Sequence, residues 1–198
     1  TSAVREAQNS SAFVERIAAA SQIKVEVIDG LEEARLIFQA VQQEIDLKGK
    51  NALLIDVGGG SVEVTLSLNS KIKTTQSFPM GTVRIIEHMK KRGLPESNLK
   101  IVLGDFMPPL SQYLEKNVTG LTMDFAVGTG GNLECMARLK WDLLKKTPVT
   151  YITLLDLVEI SDRLKRMSMK ERIEKLNLRP DRADVILPAL YVVKTILR

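Results

Sequence analysis

Residues 55–63 read Ile55-Asp56-Val57-Gly58-Gly59-Gly60-Ser61-Val62-Glu63, and this stretch decides the fold. It continues a mostly apolar run from Ala52 that has the length of a buried strand, so we expect a strand that ends in a glycine turn. Residues 62–68 then alternate between apolar and polar side chains, and residues 71–78 follow the turn residues Asn69-Ser70. This pattern predicts three antiparallel strands joined as a meander.

The same stretch carries the strongest chemical signal in the chain. Consecutive glycines let backbone N–H groups approach a phosphate without side chains in the way. Asp56 stands near the end of the strand, where a carboxylate can hold hydrated Mg²⁺ or a water. Glu63 lies two residues beyond Ser61 and therefore shares its face of the next strand. The alternative interpretation is an ordinary hairpin turn that Asp56 caps, with Glu63 in solvent.

A second glycine turn follows at Gly128-Thr129-Gly130-Gly131. We expect a buried strand over residues 121–127 before it and a helix from Asn132 to about residue 144 after it. Two such turns in one chain suggest two walls of one phosphate or nucleotide cleft, with the positive N-terminal end of the helix pointing into it. The spacing matches neither the P-loop nor Gly-x-Gly-x-x-Gly, which disfavours a Walker ATPase and a Rossmann dehydrogenase.

The remaining pattern is mostly helical. We expect a strand over residues 24–28, a polar link over residues 46–51 that serves as a lobe boundary, and helices over 9–21, 31–45, 80–92 and 97–117. Pro108-Pro109 is expected to kink or divide the last of these helices. From Thr153 onward the chain reads as helical, with a final helix that opens at Pro180-Asp181.

Composition narrows the class of protein. The 198 residues carry 28 Lys and Arg against 24 Asp and Glu, a net charge of +4 that suits contact with polyanions. Only 5% of the residues are aromatic, which leaves little material for stacking single-stranded nucleic-acid bases, so no nucleic-acid partner is expected. A single cysteine, Cys135, excludes an internal disulfide and fits a cytoplasmic setting. No apolar run approaches the roughly 20 residues of a membrane span, so no membrane partner is expected.

Several segments in this order resemble the exopolyphosphatase / guanosine pentaphosphate phosphohydrolase family, a branch of the fold shared by actin, heat-shock chaperone ATPases and sugar kinases. The segments are residues 1–7, Gly30-Leu31-Glu32-Glu33-Ala34-Arg35-Leu36-Ile37, residues 56–63, Gly128-Thr129-Gly130-Gly131 and Pro180-Asp181-Arg182-Ala183-Asp184. The resemblance implies an α/β actin-like (ribonuclease H-like) lobe with a mixed sheet flanked by helices. It also implies release of terminal orthophosphate from polyphosphate or guanosine pentaphosphate, with Mg²⁺ as cofactor.

The resemblance assigns roles to individual residues. Glu33 matches the glutamate that activates the attacking water, and Asp56 and Glu63 match carboxylates around metal and water. The phosphate-binding positions are Arg5, Gly58, Gly59, Gly60, Ser61, Gly128, Gly130, Gly131 and Arg182. From the residues alone, Glu33 reads first as a solvated acidic residue at a helix start, and only the resemblance reverses this; surface ion pairs are the alternative interpretation of Arg5 and Arg182.

One departure from the family bears on activity. The family's first phosphate loop, an Asp-x-Gly-Ser-Asn segment, is absent, so we expect residues 1–46 to be the end of a first lobe and residues 47–198 a second lobe. Such a fragment is expected to bind polyphosphate weakly, and the sequence leaves open whether it is active without the first lobe. Two other functions stay open: a polyphosphate- or nucleotide-binding sensor without turnover, and an actin-like ATPase or sugar kinase. A homodimer is also left open.

Overall fold

The computed structural model describes residues 2–198, which form one mixed sheet with helices on both faces. The strands are β1 (Asn51–Val57), β2 (Val62–Leu68), β3 (Lys71–Phe78) and β4 (Phe125–Thr129). They lie in the order β3-β2-β1-β4. The pairs β1–β2 and β2–β3 are antiparallel, as the meander predicts, and β4 pairs with β1 in parallel. The predicted α/β class with a mixed sheet flanked by helices is confirmed.

Ten α-helices account for most of the remaining described residues. They are α1 (Ser2–Glu6), α2 (Ser10–Ser21), α3 (Gly30–Glu44), α4 (Thr82–Lys91), α5 (Leu99–Asn117), α6 (Gly130–Leu139), α7 (Leu154–Lys165), α8 (Met169–Leu176), α9 (Pro180–Ala183) and α10 (Ile186–Ile196). A 3₁₀ turn (Glu96–Asn98) precedes α5, and a π-helical turn (Lys140–Leu144) follows α6. Within residues 2–198, no helix combines the length and the apolarity needed to cross a membrane.

Strand β1 is apolar because both of its faces are covered. Leu53 and Ile55 belong to the larger core, which the sheet shares with α4, α5, α6, α7 and α10. Ala52 and Leu54 face the other way and pack against Phe38 of α3 in a smaller core. Alternate residues of a strand point to opposite faces, so a strand between two helical layers reads as one apolar run.

Helix α3 therefore covers a face of the sheet to which β1 belongs. The division into residues 1–46 and 47–198 stays a prediction.

Two local predictions were wrong, and a third was wrong in one of its two alternatives. Residues 24–28 pair with no described strand and stay as an extended link. Strand β4 begins only at Phe125 and is half-buried, because it forms the edge of the described sheet. Pro108 and Pro109 lie inside α5 without dividing it. Their rings face solvent, as does Gly104 one turn earlier, so water can hydrate the carbonyls that the prolines leave without donors.

Candidate active site at the glycine turns

Two of the predicted carboxylates face each other across the first hairpin. Asp56 is the last but one residue of β1 and pairs directly with Glu63 of β2. Glu63 is only 4% exposed, and its Oε1 accepts a hydrogen bond of 2.7 Å from the Ser77 hydroxyl of β3. The interpretation that places Glu63 in solvent is therefore wrong.

Helix α3 brings the third carboxylate to the same place. Asp29 caps this helix by accepting the Glu32 N–H at 2.8 Å, which fixes the first turn that carries Glu33. The helix starts against the sheet, since a Cβ on Gly30 would lie 3.3 Å from Glu63 Oε1. Close packing at this point explains why a glycine opens the helix.

Arg5 of α1 is the partner of Glu33. Its Nη1 donates to Glu33 Oε2 at 2.9 Å and to the Ile28 carbonyl oxygen at 3.1 Å. The Arg5 side chain is only 18% exposed and that of Glu33 31%, so this pair is partly buried. Two acceptors on one guanidinium fix the direction in which the Glu33 carboxylate points.

The other two carboxylates act electrostatically on Asp56. Burial, followed by the negative charges of Glu63 and Glu33, raises the pKa of Asp56 from 3.8 to about 6. The buried Thr129 hydroxyl lies close enough to Asp56 to offset part of that rise, although it makes no hydrogen bond of normal geometry within residues 2–198. Asp56 also forms no salt bridge in that range. The site therefore carries negative charge that a cation would stabilise.

The carboxylates of Asp56 and Glu63 supply the kind of ligand that binds Mg²⁺. No cluster of three or more acidic, histidine or cysteine side chains within residues 2–198 is placed to hold a metal by protein ligands alone. Mg²⁺ does not require one, because it is usually bound through one or two carboxylates together with waters and substrate phosphates. Two adjacent carboxylates beside a phosphate-type turn are such a donor set.

The first glycine turn is bound to the start of α4 by its carbonyl oxygens. The Gly58 carbonyl accepts the Thr82 N–H, the Gly59 carbonyl accepts those of Val83 and Arg84, and the Gly60 carbonyl accepts that of Gly81, at 2.9–3.2 Å. The peptide bonds are trans, so each N–H points opposite to the carbonyl of the same peptide unit. The N–H groups of Gly59, Gly60 and Ser61 therefore point away from α4, and none of them donates a hydrogen bond within residues 2–198. Three free donors on one side form a concavity suited to an anion.

Gly81 makes this contact possible, and sequence reasoning missed it. A Cβ at position 81 would overlap the Gly59 carbonyl group, so only glycine allows the two backbones to approach. A glycine directly before a helix is a recognised N-cap signal, and that signal could have identified the position. What it could not indicate is that the glycine turn supplies the acceptors for the α4 donors.

The second glycine turn lies beside the first. Because β1 and β4 are parallel, both strands end at the same edge of the sheet, and Thr129 pairs with Asp56. Gly130 has φ +82°, and a Cβ there would lie 2.6 Å from Asp56 Oδ1. The N-terminal end of α6 therefore adjoins Asp56, and the interpretation of the two turns as walls of one phosphate cleft stays a prediction.

Arg182 lies on the outer side of this second turn. Its Nη1 donates to Asn132 Oδ1 at 2.6 Å, while Asn132 Nδ2 donates to the Val57 carbonyl oxygen at 2.7 Å. A Cβ on Gly131 would lie 2.9 Å from Arg182 Nη2. The structure thus places Arg182 on the second turn through Asn132, a partner that sequence reasoning did not identify.

A cavity that three arginines and one glutamate line opens beyond Arg182. It measures about 310 Å³ and is lined by Arg138, Arg179, Arg182 and Glu134 together with Gly131 and Asn177. Arg138 also pairs with Asp142, and Arg179 with Asp181. It leads away from the glycine turns along α6. Cys135 also lines it and is largely buried, as the packing interpretation of that residue expects.

An α/β domain that brings carboxylates, a glycine turn with free N–H donors and the N-terminal end of a helix together at the ends of two parallel strands has the features of a phosphate-handling class of protein. The Ppx/GppA phosphatase family model matches residues 1–198, and the chain belongs to this family. The predicted family membership is confirmed.

Relatives carry two kinds of name. "Exopolyphosphatase 1" of Mycobacterium leprae is 26% identical over 204 residues, covering 100% of this chain and 60% of the relative. A "Guanosine-5'-triphosphate,3'-diphosphate pyrophosphatase" of Aliivibrio fischeri is 29% identical over 183 residues, covering 90% of this chain and 34% of the relative. The crystal structure of an exopolyphosphatase from Cytophaga hutchinsonii superposes with a TM-score of 0.82 at 27% identity, covering 99% of this chain and 65% of that chain. The chain thus spans less than two thirds of the length of these relatives.

Proposed function

We propose that the protein is a hydrolase that releases terminal orthophosphate from inorganic polyphosphate or guanosine pentaphosphate. The observation that carries this proposal is the convergence of Glu33, Asp56, Glu63 and the glycine turns at one edge of the sheet. The family and the names of its members support the same class of reaction. We further expect a cytoplasmic setting.

In the proposed reaction, the N–H groups of Gly59, Gly60 and Ser61 hold the terminal phosphate. Glu33 accepts a proton from a water as the water oxygen bonds to the terminal phosphorus. The bond from that phosphorus to the bridging oxygen breaks, the shortened chain leaves as an anion, and the proton passes from Glu33 to solvent. Phosphoryl transfer depends mainly on positioning and on stabilising charge on the phosphate oxygens, and backbone donors and arginines provide both.

Asp56 and Glu63 are the residues that we propose would hold Mg²⁺. The chemistry that Mg²⁺ supplies when bound is neutralisation of charge on the phosphate oxygens. Without a cation the two carboxylates would repel the phosphate chain, so their role in this proposal is to hold the cation. We also propose that Arg182, which is bonded to Asn132 at the second turn, contacts the chain beyond the terminal phosphate.

The experiment that tests this proposal is a phosphate-release assay on the full-length protein, with long-chain polyphosphate and guanosine pentaphosphate in parallel. Release that requires Mg²⁺ supports the proposal. Binding of either substrate without release would support a sensor module instead. Transfer of phosphate from ATP to an acceptor would support the kinase alternative.

A further inference from the structure

Arg84 connects the first glycine turn to helix α1. Its Nε donates to the Gly60 carbonyl oxygen at 3.0 Å, and its Nη2 donates to Glu6 Oε2 at 2.6 Å. Its backbone N–H donates to the Gly59 carbonyl at 3.2 Å. One residue of α4 therefore contacts the turn twice and α1 once.

Helix α1 in turn contacts both halves of the candidate site. Arg5 and Glu6 are consecutive residues, and their side chains pair with Glu33 and Arg84 respectively. Ser2, one turn earlier, touches the glycine turn, since a Cβ on Gly60 would overlap the Ser2 hydroxyl. A shift of α1 along its axis would therefore disturb the proposed base and the phosphate-binding turn together.

We propose that Arg84 is a positioning residue for phosphate binding. Its guanidinium holds the Gly60–Ser61 peptide so that the Ser61 N–H faces the phosphate, and through Glu6 it fixes α1 relative to the turn. A hydrogen bond from a cation to the carbonyl is stronger than one from a neutral donor, and it polarises the peptide so that its N–H becomes a better donor. This inference rests on the proposed function, because it assumes that the turn binds phosphate.

The competing explanation is a surface ion pair with no effect on the turn. Side-chain exposure of 35% for Arg84 and 55% for Glu6 makes such a pair weak by itself. The two explanations differ in the bond to Gly60, which an ion pair with Glu6 does not need. Variants that separate the two contacts therefore decide between them.

The test measures orthophosphate affinity by calorimetry and thermal stability on the full-length protein, for R84Q, R84K, E6Q and the charge swap E6R/R84E. We expect R84Q to weaken orthophosphate binding about tenfold or more, and R84K to recover part of the loss. E6Q keeps the donor to Gly60 and should weaken binding only two- to threefold. The swap restores an ion pair between positions 6 and 84, so thermal stability should recover. A carboxylate at position 84 has no proton to donate to the Gly60 carbonyl, so orthophosphate affinity should stay low. The control is R35Q, which removes a comparable exposed pair with Glu32 and should bind orthophosphate like wild type.

Full recovery of orthophosphate affinity in the swap would overturn the proposal, as would unchanged affinity in R84Q or absence of orthophosphate binding by the wild-type protein. The outcome is separable from that of the proposed activity. If affinities follow the expected order while neither substrate is hydrolysed, the positioning role stands and the hydrolase proposal is wrong.

Discussion

Glu32 and Glu33 are adjacent in the first turn of α3, yet they have different surroundings. Glu32 pairs with Arg35 at 2.6 Å on the exposed side of the helix. Glu33 pairs with the partly buried Arg5 and contributes to the raised pKa of Asp56. Neighbours on a helix point about 100° apart, so one of them reaches the site and the other does not.

This difference gives a matched pair of variants. Since a positioned general base contributes about 10²–10⁴-fold, we expect E33Q to lower kcat by that factor, while E32Q stays near the wild-type rate. Both variants should remain folded, which circular dichroism and thermal unfolding can check. Turnover near wild type in E33Q would remove Glu33 from the proposed mechanism.

The raised pKa of Asp56 predicts a dependence of stability on pH. Between the usual pKa of 3.8 and the folded value of about 6, the folded protein keeps a proton that the unfolded chain releases. The free energy of unfolding therefore falls as pH rises through this window, and the penalty is complete above pH 6. D56N lacks the titrating group, so its stability relative to wild type should rise by about 1–3 kcal/mol between pH 4 and pH 7.

Urea unfolding of both proteins at several pH values checks this expectation. The difference between the two curves isolates Asp56, because carboxyls with a lowered pKa, such as Asp156 at about 2, add stability as pH rises toward the lower end of this range. Mg²⁺ should raise the melting temperature of the wild type at pH 7.5 and have a smaller effect on D56N. A pH-independent difference would mean that Asp56 ionises normally.

At the residue scale, sequence reasoning found the groups but not their partners. The alternation of β2 placed Glu63 near the turn, and the family resemblance identified Glu33. Ser77, Arg84 and Asn132 hold the turns and carboxylates, but each lies 14–75 residues from its partner. Contacts over such distances leave no local periodicity, so only the fold reveals them.

At the scale of elements, the contact between the first glycine turn and α4 requires a glycine at position 81. Replacement by alanine should therefore have opposite effects on stability at Gly81 and at Gly104, which lies outside this contact. Gly81 has the Gly59 backbone against it, whereas Gly104 in α5 has open space around its Cα. We expect G81A to separate the turn from α4, to lose about 1–3 kcal/mol of stability and to weaken phosphate binding. G104A should gain about 0.4–1 kcal/mol, because alanine restricts the unfolded chain and favours the helix.

Chemical denaturation and orthophosphate titration of both variants measure these effects. If G81A binds orthophosphate like wild type, the carbonyl contacts with α4 do not orient the turn.

The elements that sequence reasoning placed well are those with strong periodicity. Strands β1 to β3 and helix α3 lie within a residue or two of their predicted bounds. The extended link at residues 24–28 has the alternation of a strand but finds no partner in the described sheet. Pairing is a tertiary event, and alternation alone does not supply it.

At the scale of the whole molecule, the cavity beside the second turn brings Arg138, Arg179 and Arg182 together, and all three can contact a polyanion even though two of them also pair with aspartates. Guanosine pentaphosphate carries its phosphates in two short runs, whereas long polyphosphate continues beyond the site. If the chain runs along this cavity, R138Q/R179Q should raise KM for long polyphosphate several-fold and leave KM for guanosine pentaphosphate nearly unchanged.

The increase in KM should be largest at low salt, since screening weakens such attraction. K24Q removes a charge from a lysine with an 87% exposed side chain in the link between α2 and α3, and it serves as the control. Equal changes for both substrates would show that the two arginines act on the terminal site instead of on the extended chain. Composition predicted an affinity for polyanions, and the fold specifies where we expect it to act.

The carbonyls of the first glycine turn are already occupied before any phosphate arrives, and this has a consequence for amide hydrogen exchange. The amides of Thr82, Val83 and Arg84 are bonded to the turn, so they should exchange slowly with and without ligand. The amides of Gly59, Gly60 and Ser61 have no acceptor within residues 2–198 and should exchange rapidly until orthophosphate protects them. Protection confined to these three would show that the ligand meets a turn ordered in advance, with little conformational entropy left to lose on binding.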